Sequence, residues 1–132
     1  CDIATLSPIF HDGELIARAG GVNHVIDTGA VGPGSMNVSQ ASRFGDGAHY
    51  TARKIGEDFE IYNSWKNDFP DKTRTPDFLK LDERTRMTGC LMIRNAVNDL
   101  IDDYGIEKFK QLSREAIEDG RRGFRSRIQK TM

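Results

Sequence analysis

Histidine and aspartate lie three residues apart in a glycine-rich part of this sequence, and the pair has the chemistry of metal ligands. His24 and Asp27 fall within residues 20–35, a stretch in which glycine recurs. A neutral imidazole with carboxylates suits Mn, Fe or Zn better than Ca or Mg. Residues three apart on a flat strand point to opposite faces, so both can reach one ion only if the chain turns between them. A structural histidine bonded to loop backbone is the alternative that the residues leave open.

Other side chains with reactive chemistry have weaker sequence contexts. His11 adjoins the turn signal Asp12-Gly13 and is most simply a surface residue. His49 and Tyr50 are candidates for acid–base or oxygen-binding work, with a structural role for His49 as the alternative. Cys90 falls among apolar residues, which favours a buried thiol over a nucleophile.

The first half of the chain predicts strands and loops around these candidates. Residues 3–10 and 14–22 are rich in strand-forming types and flank Asp12-Gly13, which supplies the positive φ that a hairpin turn needs. Residues 27–47 are too rich in glycine for a long regular element, and a loop of this length is usually functional. Residues 66–76 contain two prolines and many charges and predict an exposed connector.

The second half predicts two amphipathic helices separated by Gly105. Asp82 is the candidate cap of the first helix. The first helix has apolar residues at three- and four-residue steps, namely Cys90, Ile93, Val97, Leu100, Ile101 and Tyr104. The second continues this spacing with Ile106, Phe109, Leu112, Ala116, Ile117, Phe124 and Ile128. The expected class is α+β, with a β-rich segment at 1–80 and a helical hairpin at 81–132, both parts of one larger domain.

The composition excludes several classes of function. Nineteen basic and 20 acidic residues give a net charge of −1, which does not favour nucleic acid or an anionic membrane as a partner. No apolar run approaches the roughly 18 residues that a membrane-spanning helix needs. Cys1 and Cys90 form no disulfide framework, and we expect a cytoplasmic protein. A start at Cys1 and a helical pattern that runs on to Met132 predict an internal segment of a longer chain, with a natural small subunit as the alternative.

Three phrases in order resemble the hydantoinase B family. They are the string from Pro8 to Ala17 with its Phe10-His11-Asp12-Gly13 core, the string from Asn23 to Ala30, and Gly32-Pro33-Gly34-Ser35. That family includes subunits of ATP-dependent hydantoinases, 5-oxoprolinases, and acetone and acetophenone carboxylases. Each phrase is weak alone, and the three together are fairly specific.

The resemblance implies a metal site that uses a residue at the start of the chain. The family carries a His-x-x-Asp element before the first phrase, and Asp2 falls where its aspartate would be, with the histidine before Cys1. By resemblance, Asp2 and His24 are metal ligands, and Asp27 supports the imidazole from a second shell. The metal, with manganese as first choice, would act as a Lewis acid towards an enolate-like oxygen.

The resemblance also implies an activity and partners. Residues 63–82 depart from the hydantoinase pattern, which favours a ketone carboxylase that forms acetoacetate from acetone and bicarbonate. The implied partners are a hydantoinase-A-type subunit, which would bind ATP, and a small subunit. Two alternatives stay open: ATP-dependent ring opening by a hydantoinase or 5-oxoprolinase, and a non-catalytic scaffold segment.

Overall fold

The computed structural model describes residues 2–34 and 41–131, so that Cys1 and the Ser35 of the third phrase lie outside the described part. The fold belongs to the predicted α+β class. Strands come first and helices follow, in the order β1 (Asp2–His11), β2 (Glu14–His24), β3 (Gly56–Glu57), β4 (Glu60–Ile61), α1 (Asn63–Asp68), α2 (Pro76–Tyr104) and α3 (Ile106–Thr131). Short 3-10 turns lie at Arg43–Gly45 and Pro70–Lys72.

The predicted hairpin is present and its turn is the predicted one. Strands β1 and β2 pair antiparallel, from Asp2 opposite His24 to His11 opposite Glu14. Asp12 and Gly13 form the two-residue turn with φ of 49° and 80°, the positive values that suit the twist of the strands. The register shifts between Ile9 and Phe10, which is a bulge near the turn.

The two faces of the hairpin have different surroundings, because side chains alternate along each strand. The inner face contributes Thr5, Ile9 and Ala19, all buried against α2. The outer face exposes Leu6 and Val22. By the same alternation Asp2 and His24 belong to this outer face, at the end of the hairpin opposite the turn.

The core consists of two hydrophobic clusters along α2. In the first, Val25, Trp65, Phe69 and Leu79 are buried together. In the second cluster, Ile9, Ala19 and Cys90 pack together towards the end of the sheet that carries the hairpin turn. Burial of the Cys90 thiol raises its pKa, as expected for a packing residue rather than a nucleophile.

The prediction of an exposed connector at residues 66–76 is right only in part, because its charged residues Lys66, Asp71, Lys72 and Arg74 are exposed but others are not. This segment contains the end of α1 and a 3-10 turn, and Phe69 and Pro70 are fully buried. Helix α2 begins at Pro76 after Thr75, so Asp82 is not its cap, and the division at 80/81 falls inside the helix. Proline at the first helical position has no backbone N–H to leave unpaired, which suits it to this start.

The predicted helix pair is present, and Gly105 separates the helices with a φ of 81°. The apolar face expected for α2 is only partly buried, since Ile93, Leu100 and Tyr104 are exposed. Helix α3 buries no residue within the described part of the chain, and it meets α2 mainly near Gly105 around a shallow groove of about 270 Å³. Among the described residues, no helix is long and apolar enough to cross a membrane.

Two leucines on α2, one buried and one exposed, provide a test of the position of the core. Leu79 is fully buried and Leu81 is 60% exposed. We expect Leu79→Ala to lower the free energy of unfolding by about 2–5 kcal/mol, because it removes buried methyl groups and leaves a cavity. Leu81→Ala should change it by no more than about 0.5 kcal/mol. Urea unfolding of the whole gene product measures both, and equal losses would contradict the described core.

Candidate functional site

Asp2 and His24 are brought together by the register of the hairpin. They are direct partners across β1 and β2, although 22 positions separate them in the sequence. The imidazole Nδ1 lies 3.0 Å from a carboxylate oxygen of Asp2. The side chains of His24 and Asp2 are 54% and 68% exposed, so the pair is open to solvent.

The distance between Nδ1 and the carboxylate oxygen is that of an ordinary hydrogen bond, and it also fits two ligands of one metal ion. Ligand atoms about 2.1 Å from an ion lie about 3.0 Å apart when they subtend a right angle at it. An imidazole nitrogen and a carboxylate oxygen form a donor set that suits Mn, Fe or Zn. Within residues 2–34 and 41–131, no group of three or more His, Cys, Asp or Glu side chains gathers at one point. The described residues therefore offer at most two candidate ligands at any one point.

Asp27 has a different partner from the one that its sequence position suggests. It is almost fully buried, and one carboxylate oxygen accepts a hydrogen bond of 2.7 Å from the backbone N–H of Arg74. The other oxygen pairs at 2.9 Å with the Arg74 guanidinium. Both oxygens of Asp27 are thus engaged by Arg74, whereas the predicted role was support of the His24 imidazole.

Arg74 fastens the glycine-rich loop to the segment before α2. Its guanidinium also donates to the backbone carbonyls of Ala30, at 2.7 Å, and Gly32, at 3.5 Å. Gly29 has a φ of 71°, and a Cβ there would lie 2.0 Å from the carbonyl oxygen of Lys72. Only glycine allows this close approach of two backbones. The loop is therefore held in place directly after His24.

His49 and Tyr50 lie outside the strands, and each has a structural contact. His49 is exposed, and its Nε2 lies 2.6 Å from the backbone carbonyl of Arg43. Tyr50 packs edge-on against Trp65 and Phe69. Burial raises the pKa of Tyr50, and its hydroxyl accepts a hydrogen bond from Lys72. These contacts hold both side chains in place, and their catalytic roles stay predictions.

The structure also reveals a buried polar network that the sequence analysis did not identify. Glu83 and Arg86 form a buried ion pair on α2, and Trp65 donates a hydrogen bond to Glu83. A signal for it exists in the sequence. Steps of four and three residues back from Cys90 give Arg86, Glu83 and Leu79, so the two charges occupy the buried stripe of the helix.

An open cavity of about 730 Å³ lies beside the short hairpin formed by β3 and β4. Glu57, Asp58, Glu60 and Lys66 are among the residues that line it. None of the site residues predicted from the sequence contributes to its lining. It is separate from the Asp2 and His24 pair, which remains the candidate site.

A comparison with protein-family models assigns the chain to a class of protein. The model of the family described as hydantoinase B/oxoprolinase matches residues 1–132, the whole of this sequence. The chain belongs to the hydantoinase B/oxoprolinase family, as the three sequence phrases predicted.

Particular relatives are subunits of ketone carboxylases. The chain is 49% identical to the acetone carboxylase alpha subunit of Xanthobacter autotrophicus, in a match that covers 97% of this chain and 16% of that subunit. It is 28% identical to the acetophenone carboxylase delta subunit of Aromatoleum aromaticum, over 92% of this chain and 18% of the relative. A nucleotide-free structure of acetone carboxylase superposes with a TM-score of 0.91 at 49% identity, over 97% of this chain and 17% of that one. The chain thus spans less than a fifth of each relative's length.

Asp27 and Arg74 form a clasp, which consists of an ion pair and a backbone hydrogen bond, and its role in holding the loop in place can be tested. We expect Arg74→Ala to destabilise the loop by about 1–3 kcal/mol, because a buried carboxylate loses a charged partner. Limited proteolysis should then cleave within residues 27–34 faster than in the wild type. Lys54→Ala, which removes an exposed ion pair with Glu57, is the control and should leave the cleavage rate unchanged. Equal cleavage in both variants would show that Arg74 does not hold the loop.

Proposed function

We propose that this chain is part of a metal-dependent and ATP-dependent ketone carboxylase that forms acetoacetate from acetone and bicarbonate. The observation that carries the proposal is the pairing of Asp2 with His24 at 3.0 Å on adjacent strands. It occurs in a chain 49% identical to the acetone carboxylase alpha subunit of Xanthobacter autotrophicus. Family membership supplies the class of enzyme, and the pair supplies a place for its metal chemistry.

In this proposal Asp2 and His24 hold a divalent transition metal, with manganese as the first choice. When bound, such an ion supplies Lewis-acid stabilisation of negative charge that develops on a substrate oxygen. Among the described residues both side chains are more than half exposed, and further ligands and a small ketone would approach from this exposed side. The Asp27 and Arg74 clasp keeps the loop after His24 in place, so that the imidazole stays beside Asp2.

ATP binding belongs to a different part of the proposed assembly. The sequence contains no Gly-x-x-x-x-Gly-Lys phrase, the usual phosphate-binding loop. A hydantoinase-A-type subunit is the proposed ATP-binding partner, together with a small subunit. Two relatives are named as the alpha and the delta subunit of their enzymes, which supports a multisubunit assembly. A cytoplasmic location is part of the same proposal.

A second candidate function is ATP-dependent opening of a cyclic amide, as in a hydantoinase or 5-oxoprolinase. The family description, which covers oxoprolinases, favours keeping it. The two relatives described above are carboxylases of ketones, and this favours the first function. A non-catalytic scaffold role is the third possibility, and the metal experiment below separates it from the other two.

A second histidine and aspartate pair in the hairpin provides the control for a test of the proposed metal site. We expect His24→Ala and Asp2→Asn each to abolish stoichiometric metal binding, because each removes a ligand. His11 lies 3.6 Å from Asp12 at the turn end of the same hairpin, so His11→Ala removes a comparable pair without touching the site. Elemental analysis of the assembled proteins measures bound metal. Full metal content in the His24→Ala protein would overturn the proposed site.

The two enzymatic functions differ in the substrate that stimulates ATP hydrolysis. We expect acetone with bicarbonate to stimulate ATP hydrolysis by the assembled enzyme, and hydantoin or 5-oxoproline to leave the rate at its basal value. Release of phosphate measures the rate, and the His24→Ala enzyme should lack the stimulation. Stimulation by a cyclic amide alone would instead establish the second function.

A further inference from the structure

His24 lies between two residues that arginine side chains hold in place, one held by the buried Arg86 and the other by the exposed Arg74. Asn23 precedes it and contacts Arg86, and Asp27 follows it and contacts Arg74. We propose that Arg86 is a positioning residue, which acts through Asn23 to hold His24 beside Asp2. This inference rests on the proposed metal site.

Arg86 contacts both strands of the hairpin with one guanidinium. Its side chain is 3% exposed. The Nε donates to the hydroxyl of Thr5 on β1 at 3.3 Å, and an Nη donates to the side-chain oxygen of Asn23 on β2. A planar guanidinium presents its donors in a fixed fork, so these contacts fix the two strands relative to each other and to α2.

The guanidinium is itself held in place by neighbouring groups. Glu83, one turn earlier on α2, forms an ion pair with Arg86 and balances its charge. Trp65 donates from its indole N–H to the second carboxylate oxygen of Glu83 at 3.1 Å. Such a network is rigid because each buried polar group has a partner in a medium where an unpaired one is costly.

Helix α2 crosses β2 close to Gly21. A Cβ on Gly21 would lie 3.4 Å from the backbone oxygen of Arg86, an ordinary van der Waals contact. This close crossing brings the Arg86 guanidinium within hydrogen-bonding reach of Asn23.

Because Asn23 and His24 are adjacent on β2, holding the Asn23 side chain in place also fixes the direction in which the His24 side chain points. Adjacent side chains on a strand point to opposite faces, so Asn23 is held from the α2 side while His24 points to the other face. Asp2 and His24 form the last described pair of the ladder on the side away from the turn. A contact on the inner face at the adjacent residue 23 holds β2 against α2 where the proposed ligands lie.

The test uses the whole gene product in its assembled form and measures Mn²⁺ affinity by titration, with the melting temperature recorded alongside. Arg86→Lys keeps a positive charge for Glu83 but loses the fork that spans Thr5 and Asn23. Asn23→Ala removes the partner and leaves Arg86 in place. Cys90→Ala is the matched control, because Cys90 is buried one turn further along α2 and contacts the backbone of Thr5 rather than Asn23.

We expect Arg86→Lys and Asn23→Ala each to weaken Mn²⁺ binding by about tenfold, at the low end of what outer-shell substitutions cause. The double variant should be no weaker than either single one, since both remove the same contact. Cys90→Ala should bind Mn²⁺ as the wild type does, even if it melts at a lower temperature.

Three outcomes would overturn the inference, and they are distinguishable. Wild-type affinity in the Asn23→Ala protein, with binding lost in His24→Ala, would remove the positioning role and leave the metal site intact. Unchanged Mn²⁺ binding in both His24→Ala and Asp2→Asn would remove the metal site and the positioning role with it. A loss of affinity in Cys90→Ala equal to that in Asn23→Ala would show that general loosening of the interface is responsible.

Discussion

The antiparallel register of β1 and β2 is the constraint on which the candidate site depends. The tight turn at Asp12 and Gly13 starts this register, and ten residues of pairing carry it to the far end, where Asp2 lies opposite His24. Because side chains alternate with a period of two, a slip of one residue would move one member of the pair to the other face. The turn and the candidate ligands lie at opposite ends of the described ladder, so the local chemistry of the turn determines which distant residues face each other.

Helix α2 holds this ladder with a mixture of apolar and charged contacts. Leu79 and Cys90 belong to the two hydrophobic clusters, and Glu83 and Arg86 lie between them on the same stripe. An apolar stripe alone would stabilise the interface equally well, since burying an ion pair seldom adds net stability. The ion pair instead contributes orientation. Hydrogen bonds from the Arg86 guanidinium to Thr5 and Asn23 fix how the hairpin lies against α2. This arrangement suits a site that needs fixed ligand geometry more than additional stability.

The glycine-rich loop shows how one motif can have a role different from the one that its chemistry first suggests. His24 and Asp27 are close in sequence and both are capable of binding metal. In the structure Asp27 is buried with Arg74, whereas His24 is exposed beside Asp2. A buried carboxylate needs a cationic or hydrogen-bonding partner, and Arg74 satisfies it while bonding the loop carbonyls as well. The motif therefore combines an anchor for the loop with a candidate ligand at its start.

The sequence by itself determined the hairpin, the position of its turn, the two long helices and the family, because these follow from local periodicity, turn chemistry and short motifs. It also placed Asp2 and His24 at the ends of adjacent strands. Only the tertiary structure decided that Phe69 and Pro70 are buried within residues 66–76 and that Arg74 binds Asp27, since these partners come from distant parts of the sequence. The burial of Glu83 and Arg86 was decided in the same way. Charged residues predict a solvated helix face unless partners on other elements neutralise them, and those partners come together only when the chain folds.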